Sequence, residues 1–290
     1  MKISERLSKG TPTFSFEFFP PKTDKGVADL FETIKKLQPL EPDHVSITYG
    51  AGGSTRDRTL ELTQRIKAEI GLEPLMHLTC VGSTREEIGE ILDLQKERGC
   101  ENILALRGDP PAGERFFKPT AGGFGYADEL VKFIAEGPWG FDIGVAGYPE
   151  GHPECLNLTR DLEHLKRKVD NGGKYIVTQL FFDNADFFRF RDDCVKAGID
   201  VPIIAGIMPI LNLKQIKRFV SMCGSKIPQN LLVKMEAVER EPAEVAAIGI
   251  DHALNQCRDL IKQNTAGIHY YTLNKSKATR EILTQLKSEI

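Results

Sequence analysis

Eight times along this chain a short apolar, β-branched run is followed by an amphipathic helical stretch, and that alternation restricts the fold more than any other feature. The runs are Thr13–Phe18, His44–Thr48, Leu75–Thr79, Asn102–Leu106, Phe141–Ala146, Tyr175–Phe182, Pro202–Ile207 and Ile268–Leu273. Between them apolar residues recur at helical spacing, as in Val27, Leu30, Phe31, Ile34 and Leu37, or Leu158, Leu162, Leu165 and Val169. Two or three helices crowd the span from Leu213 to Asn264. Eight such units predict a parallel sheet with crossover helices. Closure into a (β/α)8 barrel, a TIM barrel with extra helices before the last strand, needs about 250 residues or more, and 290 are present. A doubly wound open sheet is the alternative. No low-complexity linker interrupts the pattern, so residues 1–290 are read as a single domain.

Composition removes several classes of function. Lys and Arg number 38 against 41 Asp and Glu, so there is no basic excess of the kind that accompanies nucleic-acid binding. No stretch approaches the length of a membrane span, and residues 1–10 lack the apolar core of a signal peptide. The six cysteines are scattered without a C-x-x-C pair, which favours a reducing, cytoplasmic setting. The histidines show no paired ligand spacing, and no catalytic metal is expected.

Strand polarity points to an enclosed site. Side chains alternate faces along a strand, so Phe14, Phe16 and Phe18 share one face and Ser15 and Glu17 the other. Val45 and Ile47 stand against Ser46 and Thr48; Met76 and Leu78 stand against His77 and Thr79. The fourth run leads into Arg107 and Asp109 on one side, and the sixth carries Gln179. Polar inner faces gathered at the strand ends are what a barrel enzyme requires, because its chemistry is assembled from several strand ends. Glu17 lies between Phe16, Phe18 and Phe19, and burial there raises a carboxyl pKa and favours a neutral general acid. The alternative is a buried ion pair with Arg or Lys from a neighbouring strand.

Other motifs are less decisive. Tyr49 to Thr55 is a Gly-rich turn into a helix, capped by Ser54 or Thr55; it suits an anion or a flat ring, and equally a plain tight turn. It lacks the Gly-Lys-Ser/Thr ending of a phosphate-binding loop, and no G-x-G-x-x-G follows any strand. Arg167 and Lys168 lie near a helix end, where they either complement the helix dipole or bind phosphate.

Taken in order, Phe16-Glu17-Phe18-Phe19-Pro20-Pro21-Lys22, Ser46 to Gly53, Leu106-Arg107-Gly108-Asp109, Tyr148 to Glu154, Leu165 to Asp170, Thr178 to Asp183 and His269 to Asn274 make a combination that is specific as a set. Across nearly its whole length the chain resembles the catalytic domain of the methylenetetrahydrofolate reductases, at bacterial length. The regulatory domain of eukaryotic members has no room here, so feedback by S-adenosylmethionine is not expected.

The resemblance implies a flavoenzyme of one-carbon metabolism on a (β/α)8 barrel. FAD would take a hydride from NADH or NADPH as co-substrate and pass it to methylenetetrahydrofolate bound in turn on the same flavin face. Glu17 would be the acid that opens the bridging ring, and Asp109 would lie near both flavin and pterin. Thr48, Tyr49, Ala51, His77, Arg107, Gly108, Asp109, Tyr126, Ala127, Tyr148, His152, Asp161, His164, Arg167 and Lys168 match FAD contacts. Of these, Arg167 and Lys168 suit the diphosphate and Asp161 the sugar or adenine side. Glu17, Thr48, Asp109, Gln179, Gln215, Phe219 and Lys275 match folate or nicotinamide contacts. His164 stands where an Asn is expected, and Lys275 where the family often has Arg, so a planar fork is lost. A homo-oligomer is expected. Competing expectations are a flavin enzyme with another electron donor, such as a partner protein, and a folate- or methyl-carrier-binding barrel without redox activity.

Overall fold

The computed structural model describes residues 1–49, 56–110, 113–114 and 116–290. Eight parallel strands close on themselves: β1 (Thr13–Phe18), β2 (His44–Ile47), β3 (Pro74–Thr79), β4 (Asn102–Leu106), β5 (Asp142–Gly147), β6 (Tyr175–Thr178), β7 (Ile203–Ile207) and β8 (Gly267–Tyr271). β1 pairs with both β2 and β8, which sets Glu17 beside Ser46 on one side and Tyr271 on the other. The open doubly wound sheet is thereby excluded, and the fold is the TIM barrel.

Strand alternation divides the side chains as the sequence predicts. Phe16, Phe18, Val45, Ile47, Met76, Leu78, Ile103 and Val145 pack with the surrounding helices in the main apolar core. A smaller cluster inside the barrel holds Leu75, Leu104, Tyr175, Val177 and Ile204. Ile3 and Leu7 complete that inner cluster from α1 (Ile3–Leu7), a short helix that plugs the end opposite the mouth. The sequence reading contains no such helix, because one turn leaves too little periodicity to detect. It is fastened by polar contacts: Ser4 N–H and Oγ donate to the two Asp142 carboxylate oxygens at 2.7 and 2.6 Å, and Ile3 N–H donates to Asn102 Oδ1 at 2.9 Å.

The outer layer contains α2 (Asp24–Leu37), α3 (Arg56–Arg65), α4 (Arg85–Glu97), α5 (Ala127–Glu136), α6 (Leu158–Asp170), α7 (Asn184–Lys196), α8 (Leu213–Cys223), α9 (Gln229–Ala237), α10 (Pro242–Lys262) and α11 (Lys277–Lys287). Local chemistry starts several of them. Thr84 and Glu87 form a reciprocal capping box on α4, while Asn157 and Asp183 accept from the first-turn amides of α6 and α7. The expected Ser54 or Thr55 cap lies outside the described residues. Three helices, α8 to α10, fill the crowded span before the last strand.

Three predicted strands run past their observed ends, by one residue at β2, two at β8 and four at β6. β6 stops at Thr178, four residues before Phe182. Leu180 and Phe182 instead join Met208, Ile210, Leu213, Leu231 and Met235 in a second apolar cluster under α8 and α9. An apolar run buries equally well either way, so hydrophobicity alone does not mark where the ladder ends.

Candidate active site

The mouth at the C-terminal strand ends gathers polar groups from several strands. Glu17 projects inward from β1, with its side chain 18% exposed. Its Oε2 lies 3.4 Å from His269 Nε2 and 3.5 Å from His77 Nε2. His269 Nε2 also lies 3.2 Å from Ser46 Oγ, and His269 Nδ1 lies 2.7 Å from Ser15 Oγ. With Nε2 protonated, His269 donates towards the carboxylate and accepts from the Ser15 hydroxyl. His44 stacks on His269 from below, ring centroids 6.0 Å apart and planes 16° apart.

This shell corrects the expected electrostatics of Glu17. Burial does push the carboxyl up, and it is the largest single influence. The His269 hydrogen bond, the fields of His77 and His269 and the Ser46 hydroxyl outweigh it, and the net pKa is lowered. Phe16 and Phe18 point into the outer core and Phe19 is 45% exposed, so the aromatic seat inferred from the sequence does not surround the acid. Among the described residues no Arg or Lys pairs with Glu17 either; imidazoles stand in that position. The resting group is a carboxylate.

Burial pushes His77 down to about 4 and His44 well below its ordinary value. Both rings are therefore neutral in the folded protein at neutral pH. As pH falls through the unfolded histidine value, the unfolded chain binds protons that the folded barrel refuses, and stability drops. The depressed Glu17 pKa acts in the same direction, its contribution being lost as pH falls through the folded value. From its shift between 6.5 and about 4, His77 alone removes about 3 kcal/mol across that window. Urea unfolding between about pH 7.5 and about pH 4.5 checks this. A stability unchanged over that range contradicts it.

Past β2, Thr48 N–H donates to Phe18 O at 2.9 Å, and Tyr49 is buried with its hydroxyl unpaired among the described residues. Ala51 lies outside the described residues. Past β4, Arg107 makes a two-pronged ion pair with Glu154, at 2.7 and 2.6 Å, and stacks on Phe117. Gly108 has φ +88°, and a Cβ there would sit 2.8 Å from Val81 Cγ1 and 2.9 Å from Thr79 Cβ, so the strand end presents bare backbone. Asp109 is exposed at the rim. Tyr126, 63% exposed, precedes α5, which starts at Ala127.

Tyr148, half-buried past β5, meets His152 edge-on with ring centroids 4.7 Å apart. His152 N–H donates to Asp161 Oδ2 at 3.2 Å, which ties that loop to the first turn of α6. One helical turn on, half-buried His164 comes together with Asp161 and Cys155: one ligand atom from each lies within 4.8 Å of the others. Lys168 Nζ donates to Ala146 O at 2.6 Å, and burial lowers its pKa to about 8. A purely dipole-complementing role does not describe a lysine so enclosed. Arg167 is exposed and lies 3.5 Å from Asp128.

Gln179 lines a small cleft with Tyr148 and Cys223, and Phe219 packs on α8 against the second apolar cluster. Gln215 and Lys275 are exposed. The loop before Lys275 is braced against the end of the neighbouring β1: Asn274 pairs with both backbone polar groups of Phe19, at 2.9 and 2.8 Å. The sequence reading gave no role to His269, Ser15, Glu154 or Cys155. His269 was accessible to it, since it alternates with Tyr270 on β8 as Glu17 does with Phe18 on β1.

Among the described residues no helix is long and apolar enough to cross a membrane. The methylenetetrahydrofolate reductase family model matches residues 2–287. The chain is 41% identical to a 5,10-methylenetetrahydrofolate reductase of Salmonella typhimurium, over 94% of this chain and 90% of that one. It is 42% identical to methylenetetrahydrofolate reductase (NADH) 1 of Arabidopsis thaliana over 98% of its length, and it spans about half the length of that plant relative. Among solved structures, a Clostridium thermocellum protein that binds two copies of 5-methyl-5,6,7,8-tetrahydrofolic acid superposes with a TM-score of 0.67 at 16% identity, each chain 99% covered. At that identity the likeness speaks for the barrel alone. Matched end to end by the family model and at two-fifths identity by a bacterial enzyme of nearly its own length, the chain belongs to the methylenetetrahydrofolate reductase family.

Proposed function

We propose that residues 1–290 form one FAD-binding catalytic unit that reduces 5,10-methylenetetrahydrofolate to 5-methyltetrahydrofolate with NADH or NADPH. The observation that carries this reading is the Glu17 carboxylate at the barrel mouth, 3.4 Å from an imidazole that is itself hydrogen-bonded to Ser15.

The residues present fit a flavin dinucleotide. The buried hydroxyls of Tyr49 and Thr79 have no partner among the described residues. Arg167 and Lys168 supply positive charge for the diphosphate, and Asp161 supplies an acceptor for a sugar hydroxyl. When bound, FAD supplies the hydride relay between nicotinamide and folate. Asp109 at the rim would disfavour negative charge on the reduced ring.

Glu17 holds the proton for ring opening. With a bound ring over the mouth, Glu17 would lose its remaining water, which adds to burial, the largest single influence on it, and would shift the balance at Oε2 towards protonation. Delivered to an amine nitrogen of the folate's bridging ring, that proton helps the ring open to an electrophilic iminium. His269 and Ser15 orient the acid and lead back into the barrel. Gln179 and Phe219 are suited to serve both substrates, since each must leave before the other binds. Gln215 and Lys275 reach the substrate only if loop and side chain turn inward, Lys275 as a point charge for the folate's carboxylate tail. Assembly into a homo-oligomer belongs to the same reading, and sedimentation velocity reads it.

Steady-state rates with both substrates varied test the proposal. Parallel double-reciprocal lines, with methyltetrahydrofolate as product, are expected for two half-reactions that share one pocket. Intersecting lines, or no folate product, reject it.

A further inference from the structure

We propose that Cys155, Asp161 and His164 form a zinc site at the rim of the barrel. The ligand atoms of the three residues lie within 4.8 Å of one another, and all three side chains are half-buried. A tetrahedral zinc ion with ligands at about 2.0–2.3 Å needs them about 3.3–3.8 Å apart, which small side-chain rotations supply.

The local structure prepares these positions. Asp161 and His164 stand three residues apart on α6, so they share one helical face. Asn157 caps α6 by accepting from Arg160 N–H at 3.1 Å, which fixes where the helix begins relative to the loop carrying Cys155. The Cys155 thiol donates forward along that loop to Asn157 O at 3.5 Å, at the start of α6. His152 N–H holds Asp161 Oδ2 at 3.2 Å, a backbone contact of the kind that orients a carboxylate ligand and leaves its second oxygen, Oδ1, for an ion. Lys168, a cation whose charge reaches Asp161, donates a hydrogen bond from its Nζ to Ala146 O.

The donor set selects the metal. One sulfur, one imidazole nitrogen and one carboxylate oxygen suit zinc rather than magnesium or calcium, which prefer oxygen alone. Binding exchanges the thiol proton for the metal: the S–H bond breaks, the S–Zn bond forms, and the proton passes to buffer. Thiolate and carboxylate then balance the two positive charges, and water completes the fourth position. The sequence reading expected no catalytic metal, and this site is not catalytic: it lies on α6 and its preceding loop, with no contact to Glu17. Because Asp161 and His164 are read above as flavin contacts, zinc and FAD exclude each other. That consequence rests on the proposed function; the metal site itself does not.

Cobalt(II) is the probe, titrated into the full chain after flavin has been removed. The expected result is a saturable thiolate-to-cobalt charge-transfer band that Zn2+ abolishes by displacement. Cys155→Ala should eliminate the band, with an unchanged thermal melt showing that the barrel is intact. His164→Gln should weaken Zn2+ binding at least about tenfold. A band that survives Cys155→Ala, or the absence of saturable binding, overturns the metal site. FAD should weaken Zn2+ binding at least about tenfold in the unaltered chain. Zinc binding that FAD leaves unchanged keeps the metal site and refutes the placement of flavin on Asp161 and His164.

Discussion

Glu17→Gln is expected to slow folate reduction by about 10²–10⁴-fold while leaving reduction of the flavin by nicotinamide within about twofold. The amide keeps the shape of the acid, and its oxygen still accepts from His269 Nε2, so the inward position on β1 is retained. It cannot release a proton at neutral pH. Hydride arrival from the nicotinamide needs no acid at that atom, whereas opening of the bridging ring does. Rapid mixing separates the two half-reactions. Equal loss in both shows that Glu17 holds the mouth together and does not act as an acid.

Among the described glycines, Gly249→Ala is expected to be the most damaging single methyl, costing about 3 kcal/mol or more. A Cβ at this position in α10 would lie 1.8 Å from the Ile210 carbonyl oxygen and 2.7 Å from its carbon. Those are backbone atoms just beyond β7, so no side chain can rotate aside. Either α10 lifts from the barrel or the loop after β7 moves, and the second apolar cluster, which includes Ile210 and Val245, opens in both cases. The control is Gly89→Ala in α4, where an added Cβ meets nothing within 4 Å. That exchange should stabilise by about 0.5–1 kcal/mol through helix propensity. Denaturant midpoints of the two variants should therefore move in opposite directions. Similar midpoints contradict the close approach of α10.

The barrel was readable because its strands and helices have different periods. On β1 the alternation Phe14, Ser15, Phe16, Glu17, Phe18 placed each side chain on its observed face. What period cannot supply is the identity of the neighbours across the barrel. Glu17 was correctly placed inside, but sequence adjacency assigned it the phenylalanines, which point the other way. Its actual partners, His77 and His269, come from β3 and β8, brought beside it by barrel closure. The sign of its pKa shift changed for that reason. The plug formed by Ile3 and Leu7 was hidden because it spans little more than one turn. The Cys155 cluster was hidden because its loop donor precedes the helix that carries the other two, and no familiar metal spacing results.

The absorption spectrum of the purified full chain, recorded without oxygen before and after each nicotinamide is added, tests the central claim most directly. The account predicts a yellow protein that NADH or NADPH bleaches, with the colour returning when methylenetetrahydrofolate follows. A colourless chain that takes up no FAD, or a flavin that stays yellow with both nicotinamides, contradicts it.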